Sequence, residues 1–203
     1  YFESGGVSRP IGMVEVYKLN NGVWQRKGNR IKGDAFNASI GNNLFGWKVS
    51  ISSNGDRVAV VSRSQNNTAA SQTNNGAIYI YQYNSSTQNW DLLNTIWGVN
   101  TKQILHMEMT PDGEHIIYAS DDIIKVLEYT PSGVTSWTQV GQNLSIDVSG
   151  LDISDNSQRI IVSNYLANNL RGEIYIYDYN SSNSQWELIQ TLSGESNYGR
   201  LAG

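Results

Sequence analysis

The sequence predicts an all-β protein made of tandem β-propeller blades, each blade being a sheet of four antiparallel strands. Two observations predict it. Residues 76–95 recur at 172–191 without a gap, with 12 of 20 positions identical, and a fixed period of this kind is typical of repeat architectures. The strands also carry large apolar residues on both faces, which indicates a sheet covered on both sides.

The repeating unit is a hairpin, a loop of variable length and a second hairpin. The first hairpins lie at 45–62, 107–120 and 151–164, and the first two turn at Asn54-Gly55 and Asp112-Gly113. Such dipeptides are strong hairpin signals. In the third hairpin Ser157 stands where the others have glycine. No span of ten or more residues keeps a helical period, so almost no helix is expected. The last strand of each unit is marked by Trp24, Trp90, Trp137 or Trp186.

The stretch GAIYIYQY shows the two-faced pattern most clearly. Ile78 and Ile80 fall on one side of the strand, whereas Tyr79, Tyr81 and Tyr83 fall on the other. A sheet with one wet face would alternate apolar with charged residues instead. A blade pressed between two others buries both faces, as this pattern requires. A β-sandwich is the alternative, but it gives no reason for four copies in register.

We expect residues 1–203 to form a single propeller segment that is part of a larger propeller. Residues 1–11 are expected to be a loop. A half blade is predicted over 12–44, complete blades over 45–97, 104–142 and 148–192, and the start of a further blade over 197–203. About four blades are therefore visible, with four copies of the second hairpin and three of the first.

Phe45-Gly46, the turn at Asn54-Gly55 and the strand G-x-I-Y-I-Y together resemble the FG-GAP-like repeats of integrin α-chain propellers, and residues 110–120 resemble WD-like repeats. The resemblance implies propeller architecture. Calcium-binding blades of that family carry an acidic D-x-D/N-x-D-G loop, but residues 52–56 are too short and too poor in carboxylates for calcium. We therefore expect no metal and no cofactor.

Composition argues against several function classes. The net charge is −4 and no stretch is rich in Lys and Arg, so nucleic acid is not an expected partner. Cysteine is absent, which excludes thiolate chemistry. No apolar run approaches the roughly 20 residues of a membrane helix, so no membrane insertion is expected. With only His106 and His115, and no nucleophile motif, we expect no enzyme and no catalytic residue. Paired carboxylates stay an open alternative.

Two groups of residues are candidate binding or modification positions. Trp47 and Trp97 lie outside the repeated Trp column, and exposed aromatics anchor partners. Asn67 and Thr68 lie in the long loop over 63–75, and insertions of repeat proteins often carry contacts. Possible glycosylation sites, from Asn-x-Ser/Thr sequons, are Asn37, Asn66, Asn84, Asn143 and Asn180.

The predicted function is a non-catalytic interaction or adhesion platform in an extracellular or large structural assembly, such as a cell surface or a virus particle. Expected partners are other protein chains or further blades, and also glycans. A lectin-like, glycan-binding propeller is an alternative, as is an enzyme that uses the central channel. The fold alone does not decide among these classes.

Overall fold

The computed structural model describes residues 2–4, 7–9, 12–33, 43–132 and 134–195, with side chains over 12–33, 43–131 and 137–195. The chain divides into two compact units, Tyr1–Ile104 and Leu105–Gly203, which are described in turn. The prediction that residues 1–203 form one propeller segment stays a prediction.

The first unit begins with a short antiparallel hairpin of β1 (Phe2–Ser4) and β2 (Val7–Arg9). The expectation of a loop over residues 1–11 is therefore wrong at these positions. Two long strands follow, and each is interrupted. The first consists of β3 and β4, the second of β5 and β6; β4 pairs with β5, and β3 pairs with β6. We call these four strands the half blade: β3 (Met13–Val14), β4 (Tyr17–Asn20), β5 (Val23–Arg26) and β6 (Ile31–Lys32).

The rest of the first unit is one complete sheet, the first blade. Its four strands pair in chain order, each antiparallel to the next. The loop between the second and third strands contains a 3₁₀ turn over Thr68–Ala70. The strands are β7 (Phe45–Ile51), β8 (Arg57–Ser62), β9 (Ala77–Asn84) and β10 (Asn89–Trp97).

The second unit contains two further sheets, and the first strand of the second blade starts at the last residue of the first unit. In the second blade β14 and β15 both pair with β13, so the outer strand is interrupted after Gln139. Its strands are β11 (Ile104–Met109), β12 (His115–Ser120), β13 (Ile123–Ser132), β14 (Val134–Gln139) and β15 (Leu144–Ser145).

The third blade again pairs its strands in chain order. A short turn, α1 (Ala167–Leu170), lies in the loop before its third strand, and its last three residues have positive φ angles of 51°, 54° and 67°. The fold prediction of four-stranded antiparallel sheets with almost no helix is confirmed. The strands are β16 (Gly150–Ile153), β17 (Arg159–Asn164), β18 (Glu173–Asn180) and β19 (Gln185–Ser193).

The turn of the first hairpin has the same geometry in the first and third blades. The backbone N–H of Ser52 donates to the carbonyl of Arg57, and the N–H of Ser154 donates to the carbonyl of Arg159, both at 2.9 Å. Ser157 adopts a φ of 58°, in the left-handed region that Gly55 occupies with a φ of 69°. The serine therefore accepts the conformation for which the other copies use glycine.

Both faces of β9 are buried, as the alternating pattern predicts. Ile78 and Ile80 are fully buried on one face, and Tyr79 is buried on the other. The tyrosine face joins a core cluster with Val16 and Ile31 of the half blade. Side chains from two consecutive sheets therefore share one core in the first unit, which is the packing expected between blades.

Burial of Tyr118 on β12 gives a testable pH dependence. Desolvation raises the pKa of its phenol from 10.0 to about 12. Because the neutral form is favoured in the folded state, its contribution is complete below pH 10 and is lost as the pH rises towards 12. We expect wild type to lose about 2–3 kcal/mol more stability over this window than Tyr118→Phe, measured by urea unfolding at several pH values. Equal losses in both proteins would contradict the assignment.

Candidate interaction surfaces

Trp90 docks on the half blade at the interruption of its outer strand. Its indole Nε1 donates to the carbonyl of Lys27 at 2.8 Å, and its backbone N–H donates to Oδ1 of Asn29 at 2.7 Å. The ring also packs against Tyr83, with 5.4 Å between centroids. Only 5% of Trp90 is exposed. This residue therefore fastens the first blade to the sheet that precedes it.

Trp186 repeats this joint between the third and second blades. Its Nε1 donates to the carbonyl of Val140 at 3.0 Å, and its backbone N–H donates to Oε1 of Gln142 at 2.8 Å. The ring contacts Tyr179, with 5.2 Å between centroids. Trp137 of the second blade differs, because its buried Nε1 has no hydrogen-bond partner among the described residues. Blades of two kinds therefore alternate along the chain.

Each of the two buried indoles packs directly against a glycine of the preceding sheet. A Cβ added to Gly28 would lie 2.7 Å from Cδ1 of Trp90, and one added to Gly141 would lie 2.5 Å from Cδ1 of Trp186. Both glycines also have positive φ angles, +78° and +74°. Sequence reasoning missed this joint. The sequence pattern that marks the glycine side of the joint is W-x-x-x-G-N/Q, which begins at Trp24 and at Trp137. The pattern that marks the packed indole is W-D/E-L-L/I-N/Q-T, which begins at Trp90 and at Trp186.

The half blade leaves its own indole uncovered. Trp24 is 66% exposed and Leu19 is 53% exposed, although they occupy the positions that Trp90 and Tyr83 hold in the first blade. Leu19 and Trp24 are paired residues on neighbouring strands, so they share one face of the hairpin. We call this surface the N-terminal face; it comprises Glu15, Tyr17, Leu19, Trp24 and Arg26.

The third blade leaves the opposite face open. Ile161 is 39% exposed, whereas Ala59 and Ile117, at the same position of the first and second blades, are fully buried. Its paired neighbour Ile176 is half-buried. Beside them is a cleft of about 330 Å³. We call this surface the C-terminal face; it comprises Asp152, Ile161, Ile174, Ile176, Asp178, Glu187 and Leu192.

A polar cleft of about 680 Å³ lies between the half blade and the first blade. Lys18, Arg26 and Lys27 line it, and Lys27 Nζ lies 4.5 Å from the ring centroid of Tyr83 and 2.5 Å from Oδ1 of Asp56. Arg26 also pairs with Glu15 at 3.4 Å. Amide side chains complete much of the lining, namely Asn20, Gln25, Asn29, Gln88 and Asn89.

Two candidate glycosylation sites occupy the same turn of the first and third blades. The side-chain N–H of Asn84 donates to Asp91, and that of Asn180 donates to Glu187, both at 2.9 Å. Each side-chain oxygen caps its own turn by accepting a backbone N–H two residues ahead. Both the N–H group and the oxygen of each side-chain amide therefore form hydrogen bonds within this hairpin. Glycosylation at these two positions stays a prediction.

The other sequons differ in their surroundings. Asn66 accepts the backbone N–H of Asn74 at 2.6 Å inside the long loop. Asn143 is exposed and accepts a hydrogen bond from Gln139 at 3.0 Å. Asn37 lies outside the described residues. Glycosylation at these positions also stays a prediction.

The candidate partner contacts are divided between surface and core. Trp47 is exposed, and the guanidinium of Arg63 lies 4.5 Å from its ring centroid. Trp97 is half-buried and packs against the core of the first unit. Asn67 accepts the backbone N–H of Ala70 at 3.2 Å and so caps the 3₁₀ turn, while Thr68 is exposed. The long loop is therefore held by its own hydrogen bonds.

Titratable side chains are spread out in the part of the chain that the structure describes. Nε2 of His115 lies 3.8 Å from Oε1 of Glu128. Within the described residues, no group of three or more His, Asp or Glu side chains is placed to hold a metal ion. The described helices are also all too short to cross a membrane.

Comparison with solved structures identifies the architecture. The β-propeller domain of Swd1 (Cps50) from Myceliophteria thermophila matches with a TM-score of 0.50 and 13% identity, over 73% of this chain and 43% of that one. The chain has a β-propeller fold. The four-stranded sheets of this chain are therefore propeller blades.

Two further structures match over more of the chain. A protein from Lactobacillus plantarum has a TM-score of 0.59 and 12% identity, over 90% of this chain and 50% of that one. A candidate 6-phosphogluconolactonase from Bacteroides uniformis has a TM-score of 0.57 and 13% identity, over 89% and 48%. This propeller chain spans about half the length of these structures. No protein-family model matches it, and no curated protein matches it.

Proposed function

We propose that this chain is a non-catalytic β-propeller platform that binds other protein chains through its two open blade faces. The exposure of Trp24 carries the proposal, because the same position is buried at 5% exposure in the first blade. Tryptophan is enriched among the residues that dominate binding energy at protein interfaces. A contiguous apolar face of this kind is typical of an interaction site.

The shape of the two faces favours protein partners. Each is the broad side of a β-sheet, and Leu19 and Trp24 form a directly paired apolar couple on it. Blades of this chain already cover such faces with other sheets, as Trp90 and Trp186 show. An adhesion role like that of FG-GAP-like propellers, at a cell surface or on a virus particle, belongs to this proposal. The absence of catalysis is also part of this proposal.

Site-specific photo-crosslinking tests the platform. The photoreactive residue p-benzoylphenylalanine replaces Leu19 on the N-terminal face, or Thr87 in a polar turn as the matched control, in cells that express the chain. We expect protein adducts from position 19 that Trp24→Asp abolishes, and none from position 87. If position 19 gives no protein adduct, or if Trp24→Asp leaves the adducts unchanged, the platform is refuted.

A second candidate function is the binding of an anionic glycan in the polar cleft. Its favouring observation is the combination of Lys18 and several amides around Tyr83, which suits sulfate or carboxylate groups and a sugar ring. Titration with a chondroitin sulfate hexasaccharide tests it. Saturable binding that Lys18→Ala weakens, and that Lys48→Ala on an exposed strand does not, would support the cleft as the functional site in place of the faces.

The enzyme alternative has a direct assay. The candidate 6-phosphogluconolactonase matches at 13% identity, and this chain covers 48% of it, so the match carries the fold and no chemistry. We expect no hydrolysis of 6-phosphogluconolactone above the uncatalysed rate. Turnover that scales with protein concentration would overturn the non-catalytic assignment.

A further inference from the structure

The two open faces are the two halves of one kind of joint. In each joint of this chain that the structure describes in full, a face like the N-terminal face packs on the sheet that precedes it, as Trp90 does on Gly28 and Trp186 does on Gly141. The half blade presents a Trp-bearing face like those of Trp90 and Trp186, and the third blade presents an Ile-bearing face, with Gln190 at the position where the described joints have a glycine. Both halves are exposed at Trp24 and Ile161.

The alternation of blade types specifies which sheet fits the N-terminal face. The half blade and the second blade carry W-x-x-x-G-N/Q, whereas the first and third blades carry W-D/E-L-L/I-N/Q-T. Along the sequence, a blade with the Trp90 pattern, the first blade, precedes the second blade, which has the same pattern as the half blade. The third blade, with Trp186-Glu187-Leu188, also has the Trp90 pattern. The face that the alternation requires is thus present in this chain.

The charges of the two faces are also complementary. Arg26 of the N-terminal face and Arg30 beside it both contact Glu15, at 3.4 and 2.8 Å, so the two cations exceed the one carboxylate by a single positive charge at this edge of the face. The C-terminal face carries Asp152, Asp178 and Glu187, with Arg159 bound to Asp178 at 2.6 Å. It therefore has an excess of negative charge. Opposite charges at the edges of apolar faces favour a single docking orientation.

We infer that the partner of the N-terminal face is a second copy of this chain, which docks through the C-terminal face of its third blade. The inference rests on the proposed platform and names its partner. The interface is heterologous, because the two copies contribute different faces. Two copies together supply about as much chain as either of the two structures of which this chain covers about half.

Sedimentation velocity of the purified chain tests the inference, at concentrations up to about 100 μM, where a specific interface of ordinary strength is populated. We expect concentration-dependent association into species of two or more copies, because a heterologous interface leaves one face of each kind free in every open pair. Trp24→Arg and Ile161→Glu are each expected to raise the dissociation constant about a hundredfold, because each places a charge at the centre of an apolar interface. Leu92→Arg, an exposed leucine of the first blade outside both faces, is the matched control and is expected to leave association unchanged.

Mixing the two impaired variants gives the decisive result. Trp24→Arg keeps an intact C-terminal face and Ile161→Glu keeps an intact N-terminal face, so an equimolar mixture is expected to form a 1:1 complex that neither variant forms alone. A face-to-face dimer through Trp24 would not show this recovery, and its absence overturns the inference. So does a wild-type chain that stays monomeric. If photo-crosslinks from position 19 then identify a different protein, the platform stands while the second copy is refuted.

Discussion

Trp186→Ala is expected to lower the free energy of unfolding by about 3–5 kcal/mol, the range for truncation of a large buried aromatic side chain. The indole is 3% exposed, contacts Tyr179 and donates to the carbonyl of Val140. Its loss leaves a cavity and removes the hydrogen bond to the carbonyl of half-buried Val140. Urea unfolding followed by far-ultraviolet circular dichroism measures the change.

Trp24→Ala is the matched control for this substitution. It removes the same side chain at the equivalent position of the half blade, but Trp24 is largely exposed. Surface substitutions usually stay within about 0.5 kcal/mol. If the two variants lose similar amounts of stability, the joint does not hold the third blade. Should Trp186→Ala prove too unstable to purify, Trp186→Phe keeps the ring and tests the lost hydrogen bond, with an expected cost of about 1 kcal/mol.

The sequence predicts the sheets because the relevant signals are local. The period-2 alternation of β9 defines its two faces, and the Trp column marks each outer strand. Even the conformation of Ser157 follows from its position in a repeated turn. These features depend on residues that lie close together in sequence, and a repeat shows each of them several times.

The joints could not be predicted in the same way, because they depend on how two sheets meet. Trp90 finds its carbonyl partner 63 residues away, at Lys27. The alternation of apolar residues along either strand does not predict that an indole will pack against Gly28. The positions of Trp47 and Trp97 outside the Trp column predict partner contacts, yet Trp97 packs against the core of the first unit. The column itself includes Trp24, the most exposed of the large hydrophobic residues described.

Gly141→Ala is expected to cost about 2–4 kcal/mol, since it combines two effects. The new Cβ would lie 2.5 Å from Cδ1 of Trp186, closer than side chains can approach, and the φ of +74° is unfavourable for alanine. Gly22→Ala separates the two effects. Its φ is +80° and no atom lies within 4 Å of the added Cβ, so it reports backbone strain alone, about 1 kcal/mol.

A double-mutant cycle then isolates the contact between glycine and indole. Trp186→Leu removes the indole edge that the alanine Cβ would strike, so in that background Gly141→Ala is expected to cost no more than Gly22→Ala does in the wild type. The difference, about 1–3 kcal/mol, is the coupling energy of the two positions. A coupling of zero would show that the glycine serves only the turn. A coupling of the expected size would show that two residues 45 positions apart act as one joint, in agreement with the glycine that stands four residues after the column Trp only in the two sheets on which an indole packs.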